Sequence, residues 1–175
     1  MRAPRRAGVA LVDALVGHPT LAKLNLKMNC FPPHYDPDEE VEEEFEEEEE
    51  EEEEGYYRRV RSAPSWAGDE LAVGDSLGRL VAADAPALVL LDVSFCFVYG
   101  APTAACLGPL FDELATNTHL RWLDVSWNGL SGAGAGRLLR GVVSNRGLTF
   151  LSARGRSDPH CDVARAEALV AARRG

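Results

Sequence analysis

Cysteine is scarce in this chain: Cys30, Cys96, Cys106 and Cys161 lie 66, 10 and 55 positions apart, with no CxxC pair. Such spacing excludes a disulfide-dense secreted scaffold and a zinc site built on paired thiolates, and it fits a reduced, intracellular protein. Long apolar runs are missing as well. A bilayer-spanning helix needs about 20 apolar residues, and the best stretch, Ala85–Tyr99, is broken by Asp92 and Ser94. No membrane association is expected. Only four histidines occur, His18, His34, His119 and His160, and none stands at metal-ligand spacing from Cys or acidic residues, so no metal and no cofactor is expected. The glycine-rich Gly129–Gly136 lacks both the Lys-Ser/Thr ending and the GxGxxG spacing of a phosphate cradle. No catalytic residue emerges, and the chain reads as a non-enzyme.

Basic residues are absent from one segment, and that absence organises the charge. Between Asp36 and Glu54 lie 16 of the 28 acids and no Lys or Arg, so the rest of the chain holds 12 acids against 18 bases, a formal charge of +6 beneath the overall −10. At this density, like charges keep a segment solvated and extended, and disorder is expected there. The N-terminus has the outline of a signal peptide, with Arg2, Arg5 and Arg6 ahead of the apolar Gly8–Val16, but Asp13 in its middle argues for a helix of the folded domain instead.

What is present is a repeat. The pattern LxxLxLxx(N/C) occurs at Leu21–Asn29, Leu88–Cys96 and Leu120–Asn128, and a fourth copy, Leu148–Arg156, keeps its first two leucines, has Ala153 for the third and ends on Arg156 in place of Asn or Cys. The starts are 67, 32 and 28 residues apart. The last two spacings suit leucine-rich repeats with helices, and the first exceeds the last by about 39 residues, which marks an insertion from roughly Phe31 to Asp69. Ahead of each copy stand apolar residues three and four apart, as one helix face requires: Val9, Leu11, Val12, Leu15 and Val16; Leu71, Leu77, Leu80 and Val81; Cys106, Leu107, Leu110, Phe111 and Leu114; Leu138, Leu139, Val142 and Val143. A last helix over Val163–Arg174 follows the fourth strand. In each motif the second and third leucines point inward from a short strand, while the Asn or Cys bonds backbone left unpaired as the chain leaves it.

These motifs resemble the ribonuclease-inhibitor-type leucine-rich repeat family: Asn117–Asn128 matches the Asn-x-x-Leu-x-x-Leu-x-Leu-x-x-Asn signature except for Val125 in place of Leu. The resemblance covers about 135 residues, everything outside the insertion. It implies an α/β fold, a right-handed αβ horseshoe segment of about four leucine-rich repeats interrupted by a disordered acidic insertion. The expected organisation is residues 1–30 as the first repeat, 31–69 as the insertion and 70–175 as the remaining repeats with the C-terminal helix. Whether the chain is complete or part of a longer solenoid is open.

Aligning the strands gives three outward columns: Lys23, Leu90, Trp122 and Phe150; Asn25, Asp92, Asp124 and Ser152; Lys27, Ser94, Ser126 and Arg154, with Met28, Phe95 and Trp127 just beyond. Aromatic anchors with a polar rim suit a protein partner. The expected function is a cytoplasmic interaction scaffold, with a nuclear or ciliary setting also open, gripping a protein through Leu90, Asp92, Ser94, Trp122, Asp124, Ser126, Trp127, Phe150 and Arg154. The competing reading has the aromatics covered by the insertion or by a neighbouring stretch of solenoid. Alternative functions are regulation of a small GTPase, or capture of a basic protein such as a histone through Glu46–Glu54. Nucleic acid is disfavoured, because the arginines are scattered and the acidic insertion opposes phosphate.

Overall fold

The computed structural model describes residues 7–29, 67–97, 106–130, 132–155 and 161–174. Residues 31–66 of the expected insertion, with its acidic run, and Arg156 of the fourth motif fall outside the described residues. In chain order the elements are α1 (Ala7–Leu15), β1 (Lys23–Asn25), α2 (Ala67–Ala82), β2 (Leu90–Asp92), α3 (Gly108–Glu113), β3 (Trp122–Asp124), α4 (Gly132–Ser144), β4 (Phe150–Ser152) and α5 (Cys161–Ala171), with a 3-10 turn over Ala172–Arg174. Helix α2 begins at Ala67, so the last three residues assigned to the insertion by repeat spacing belong to a helix.

The four strands form one parallel sheet in the order β1-β2-β3-β4. Spatial order therefore follows chain order, and helical crossovers of one hand place every helix on the same side of the sheet. The helices stand in a row, α1 against α2, α2 against α3, α3 against α4 and α4 against α5, which also packs on β4. Among the described residues, helices cover one sheet face and none covers the other.

Burial follows the motif. The strand centres Leu24, Leu91, Leu123 and Leu151 are buried, as are Leu26, Val93, Val125 and Ala153 two positions on. From the turn that precedes each strand, Leu88, Leu120 and Leu148 are buried, and Leu21 is half-buried against the same core. The helices supply Val12, Val73, Leu77, Leu80, Leu110, Phe111, Leu138 and Val142. Two apolar residues assigned inward, Leu11 and Val16, are instead exposed. Leu11 lies on α1 and Val16 just after it, and among the described residues α1 packs on α2 alone. Val143, also read as inward, is exposed because it falls one step past the stripe made by Leu138 and Val142.

Helices approach closely where glycine removes a side chain. A Cβ at Gly74 would strike the carbonyl oxygen of Cys106, and one at Gly141 would strike that of Phe111. These two contacts let α2 sit on the segment leading into α3, and α4 sit on α3. Gly141→Ala is expected to destabilise by at least about 1 kcal/mol through overpacking, against the gain in helix propensity; urea denaturation of the two proteins checks the sign.

A strand of three residues pairs few backbone groups, so the ladder has to be continued by other means. It runs on past each strand: Leu26 N–H donates to the Asp92 carbonyl at 2.7 Å, Val93 N–H to that of Asp124 at 2.9 Å, and Val125 N–H to that of Ser152 at 2.8 Å. Beyond it, Asn128 takes over. Its Oδ1 accepts the N–H groups of Cys96 and Phe97 at 2.8 and 2.9 Å. Its Nδ2 donates to the carbonyls of Val93 and Val125 at 2.8 and 2.9 Å. Cys96, one unit earlier, donates Sγ–H to the Leu26 carbonyl at 2.9 Å. On the other side of the strands, Asn145 Nδ2 donates to Leu114 and Asn117 carbonyls, both at 2.7 Å, and Asn117 Nδ2 donates to that of Val81 at 2.9 Å. At β4 the donor series meets no further strand among the described residues. Ala153 N–H donates instead to Glu167 Oε1 of α5 at 3.0 Å.

Asn128→Ala strands two buried N–H groups and two buried carbonyls. The expected loss is about 3 kcal/mol, read as a lower denaturant midpoint at unchanged slope.

Candidate functional site

The open face is built by register. Lys23, Leu90, Trp122 and Phe150 are successive Cα partners across the sheet, and Asn25, Asp92, Asp124 and Ser152 form the next row. Leu90, Trp122 and Phe150 are half-buried. The Trp122 and Phe150 rings stack with centroids 4.7 Å apart and planes at 4°. A flat aromatic surface of this kind offers large contact area at low entropy cost.

The rows of acids and serines differ from the outward polar rim read in the sequence. Ser94 and Ser126 are buried, and so is Asp92, at 7% exposure. The reason is local. Asp92 Oδ1 accepts Ser94 N–H at 3.0 Å and Ser94 Oγ–H at 2.7 Å, and Asp124 Oδ1 accepts the same two groups of Ser126 at 2.9 and 2.5 Å. Each pair closes an Asx turn that ends its strand. Asn25 makes the equivalent bond to Lys27 N–H at 2.9 Å. Asp124 alone of the four remains half-exposed. Serine therefore supports the turn beneath the face, where sequence had it reaching outward.

Arg154 is exposed, but its Nε donates to Glu167 Oε2 at 2.9 Å, which draws it toward α5. That ion pair holds the guanidinium pKa above its ordinary value. With Phe150, Ser152, Glu167, Val170 and Ala171 it borders a groove of about 410 Å³ between β4 and α5. Glu167 lies on a helix, outside every repeat position, and only the Ala153 N–H that needs an acceptor points to it.

Trp127 is 43% exposed and stacks on Phe95, centroids 5.1 Å apart and planes at 12°. Phe95 occupies the same repeat position and was not among the candidate residues; its alignment with Trp127 is the signal that finds it. Met28, Phe95 and Trp127 share a left-handed backbone, with φ of 59°, 57° and 62°. Bulky residues are rare in that region and pay roughly 1 kcal/mol or more for it. Met28, Phe95 and Trp127 thus form a strained ridge along the exit of the strands, parallel to the Trp122–Phe150 row.

Among the described residues no group of His, Cys, Asp and Glu could hold a metal ion. His119 Nδ1 lies 3.0 Å from Asp84 Oδ1 in a surface pair that also binds Thr118, a structural arrangement between two turns. No helix among the described residues is long and apolar enough to cross a membrane.

Met28 is the position where relief of the ridge strain is cleanest, since it is 69% exposed. Met28→Asn is expected to raise stability by about 1 kcal/mol, because asparagine tolerates the left-handed region. Chemical denaturation reads it, and a loss of stability refutes the strain.

Comparison with protein-family models gives no match, and a search of the curated proteins gives none either.

Proposed function

We propose that this chain is a ribonuclease-inhibitor-type leucine-rich repeat segment of about four repeats, acting as a non-enzymatic scaffold that binds a protein on its strand-lined face. Support for the repeat reading comes from four parallel strands in chain order with helices between them, and from the Leu and Asn positions of the motif serving as core and backbone ties. The binding reading rests on one observation above the others: the half-buried Trp122–Phe150 stack on the face that no described helix covers. A flat aromatic pair beside a carboxylate, with Trp127 standing at the strand exits, has the composition of an interface centre rather than of a catalytic cleft. A cytoplasmic setting agrees with Cys96 serving as a thiol donor inside the core.

The test is Trp122→Ala combined with Asp124→Ala. Affinity purification with the unaltered chain is expected to recover a partner that the double variant loses, while the far-UV circular dichroism of the two proteins coincides. Aromatic anchors of this kind contribute about 2 kcal/mol or more each, so a weakening of partner binding by less than about tenfold rejects the face as the binding site.

A further inference from the structure

Two neighbouring carboxylates, the half-exposed Asp124 and the buried Asp92, stand at the open face, and no described Lys or Arg neutralises them. Asp92 and Asp124 are Cα partners on adjacent strands, so their side chains leave the sheet about 4.8 Å apart. More than nine-tenths of Asp92 is buried. Among the described residues, Ser94 is its hydrogen-bond partner and Ser126 that of Asp124, and no Lys or Arg pairs with either. Burying a carboxylate beside another without a counter-ion is unfavourable.

The turn does not require this charge. Asn25 closes the same turn in the first unit with a neutral amide oxygen. Negative charge at Asp92 and Asp124 is therefore surplus to the local structure, and it sits between two stacked aromatic pairs, Trp122–Phe150 on one side and Phe95–Trp127 on the other. Aromatic faces and carboxylates together favour a cationic side chain, the rings through their quadrupoles and the acids through direct pairing. One strand away the sign reverses: the exposed Lys23 and Lys27 flank Asn25 on β1.

Resting on the protein-binding reading above, the geometry points to an extended segment of the partner that crosses the strands with a fixed charge order: acidic over β1, arginine or lysine over β2 and β3, apolar over β4. The spacing sets the pattern. From the midpoint between β2 and β3, both β1 and β4 lie about 7 Å away, which is two residues of extended chain, and alternate residues of such a chain point the same way. The recognised sequence is acidic-x-basic-x-apolar, running from β1 to β4.

The experiment uses the full chain and two labelled synthetic peptides of identical composition, Gly-Glu-Ser-Arg-Ser-Phe-Gly and the same residues with Glu and Arg exchanged, read by fluorescence anisotropy. The acidic run Glu46–Glu54 attracts both peptides equally, so the difference between them reports the face. The first peptide is expected to bind about tenfold tighter than the second, with the difference abolished in Asp124→Asn and in Trp122→Ala. Asn at 124 preserves the turn as Asn25 does, so loss of folding is not the expected outcome, and circular dichroism verifies it; an unfolded Asp124→Asn overturns the claim that the charge is surplus. Equal affinity for the two peptides, no binding of either, or a difference that survives both substitutions also overturns the proposal. If Trp122→Ala abolishes capture of the partner while Asp124→Asn leaves it intact, the charge order fails and the protein-binding face stands; if neither substitution affects capture, the face itself fails.

Discussion

A single side-chain amide joins two consecutive units of this fold. Asn128 accepts from the backbone of one loop and donates to the carbonyls of two strand exits, so β2, β3 and the turn after β2 are tied at one point. The need for it is geometric. Three-residue strands leave most of their flanking backbone groups without sheet partners, and buried backbone must be satisfied. Asn117 and Asn145 do the same on the entry side of the strands. With both ends of β2 and β3 bound in this way, these strands can remain minimal, and the residues on their open face are released from any duty in the core.

The core was legible in the sequence because it obeys a period. Leu91, Leu123, Val93 and Val125 sit where the motif places them, and Asn128 and Cys96 bond backbone as their position implies. The register, too, followed from motif alignment, since Leu90, Trp122 and Phe150 are Cα partners. What the alignment could not supply was the direction of short polar side chains. Ser94 and Ser126 alternate correctly for exposure, yet each turns back to a carboxylate two residues earlier, a local hydrogen bond that strand alternation does not encode. Leu11 and Val16 illustrate a different limit. Helical periodicity names an apolar stripe, but burial also needs a neighbour, and among the described residues the first helix has one on one side only.

The candidate site inherits its character from that division of labour. Trp122 and Phe150 lie outside the leucine positions, so their identity is not constrained by packing beneath them. The same holds for Phe95 and Trp127, whose backbone is left-handed. Large rings are poorly suited to that conformation. Their presence at two successive units, stacked on one another, points to a demand made by the surface rather than by the fold.

Glu167 has a consequence that reaches past its own hydrogen bonds. In the three earlier units the N–H that follows the strand donates to the next strand's carbonyl; at Ala153 it donates to the Glu167 carboxylate, which also holds Arg154. An open parallel edge is a template for unrelated chains, and exposed edges of this sort seed misassembly. Here the template is occupied by an anion. Among the described residues, a strand adding to β4 would compete with a carboxylate held by both a backbone amide and a guanidinium.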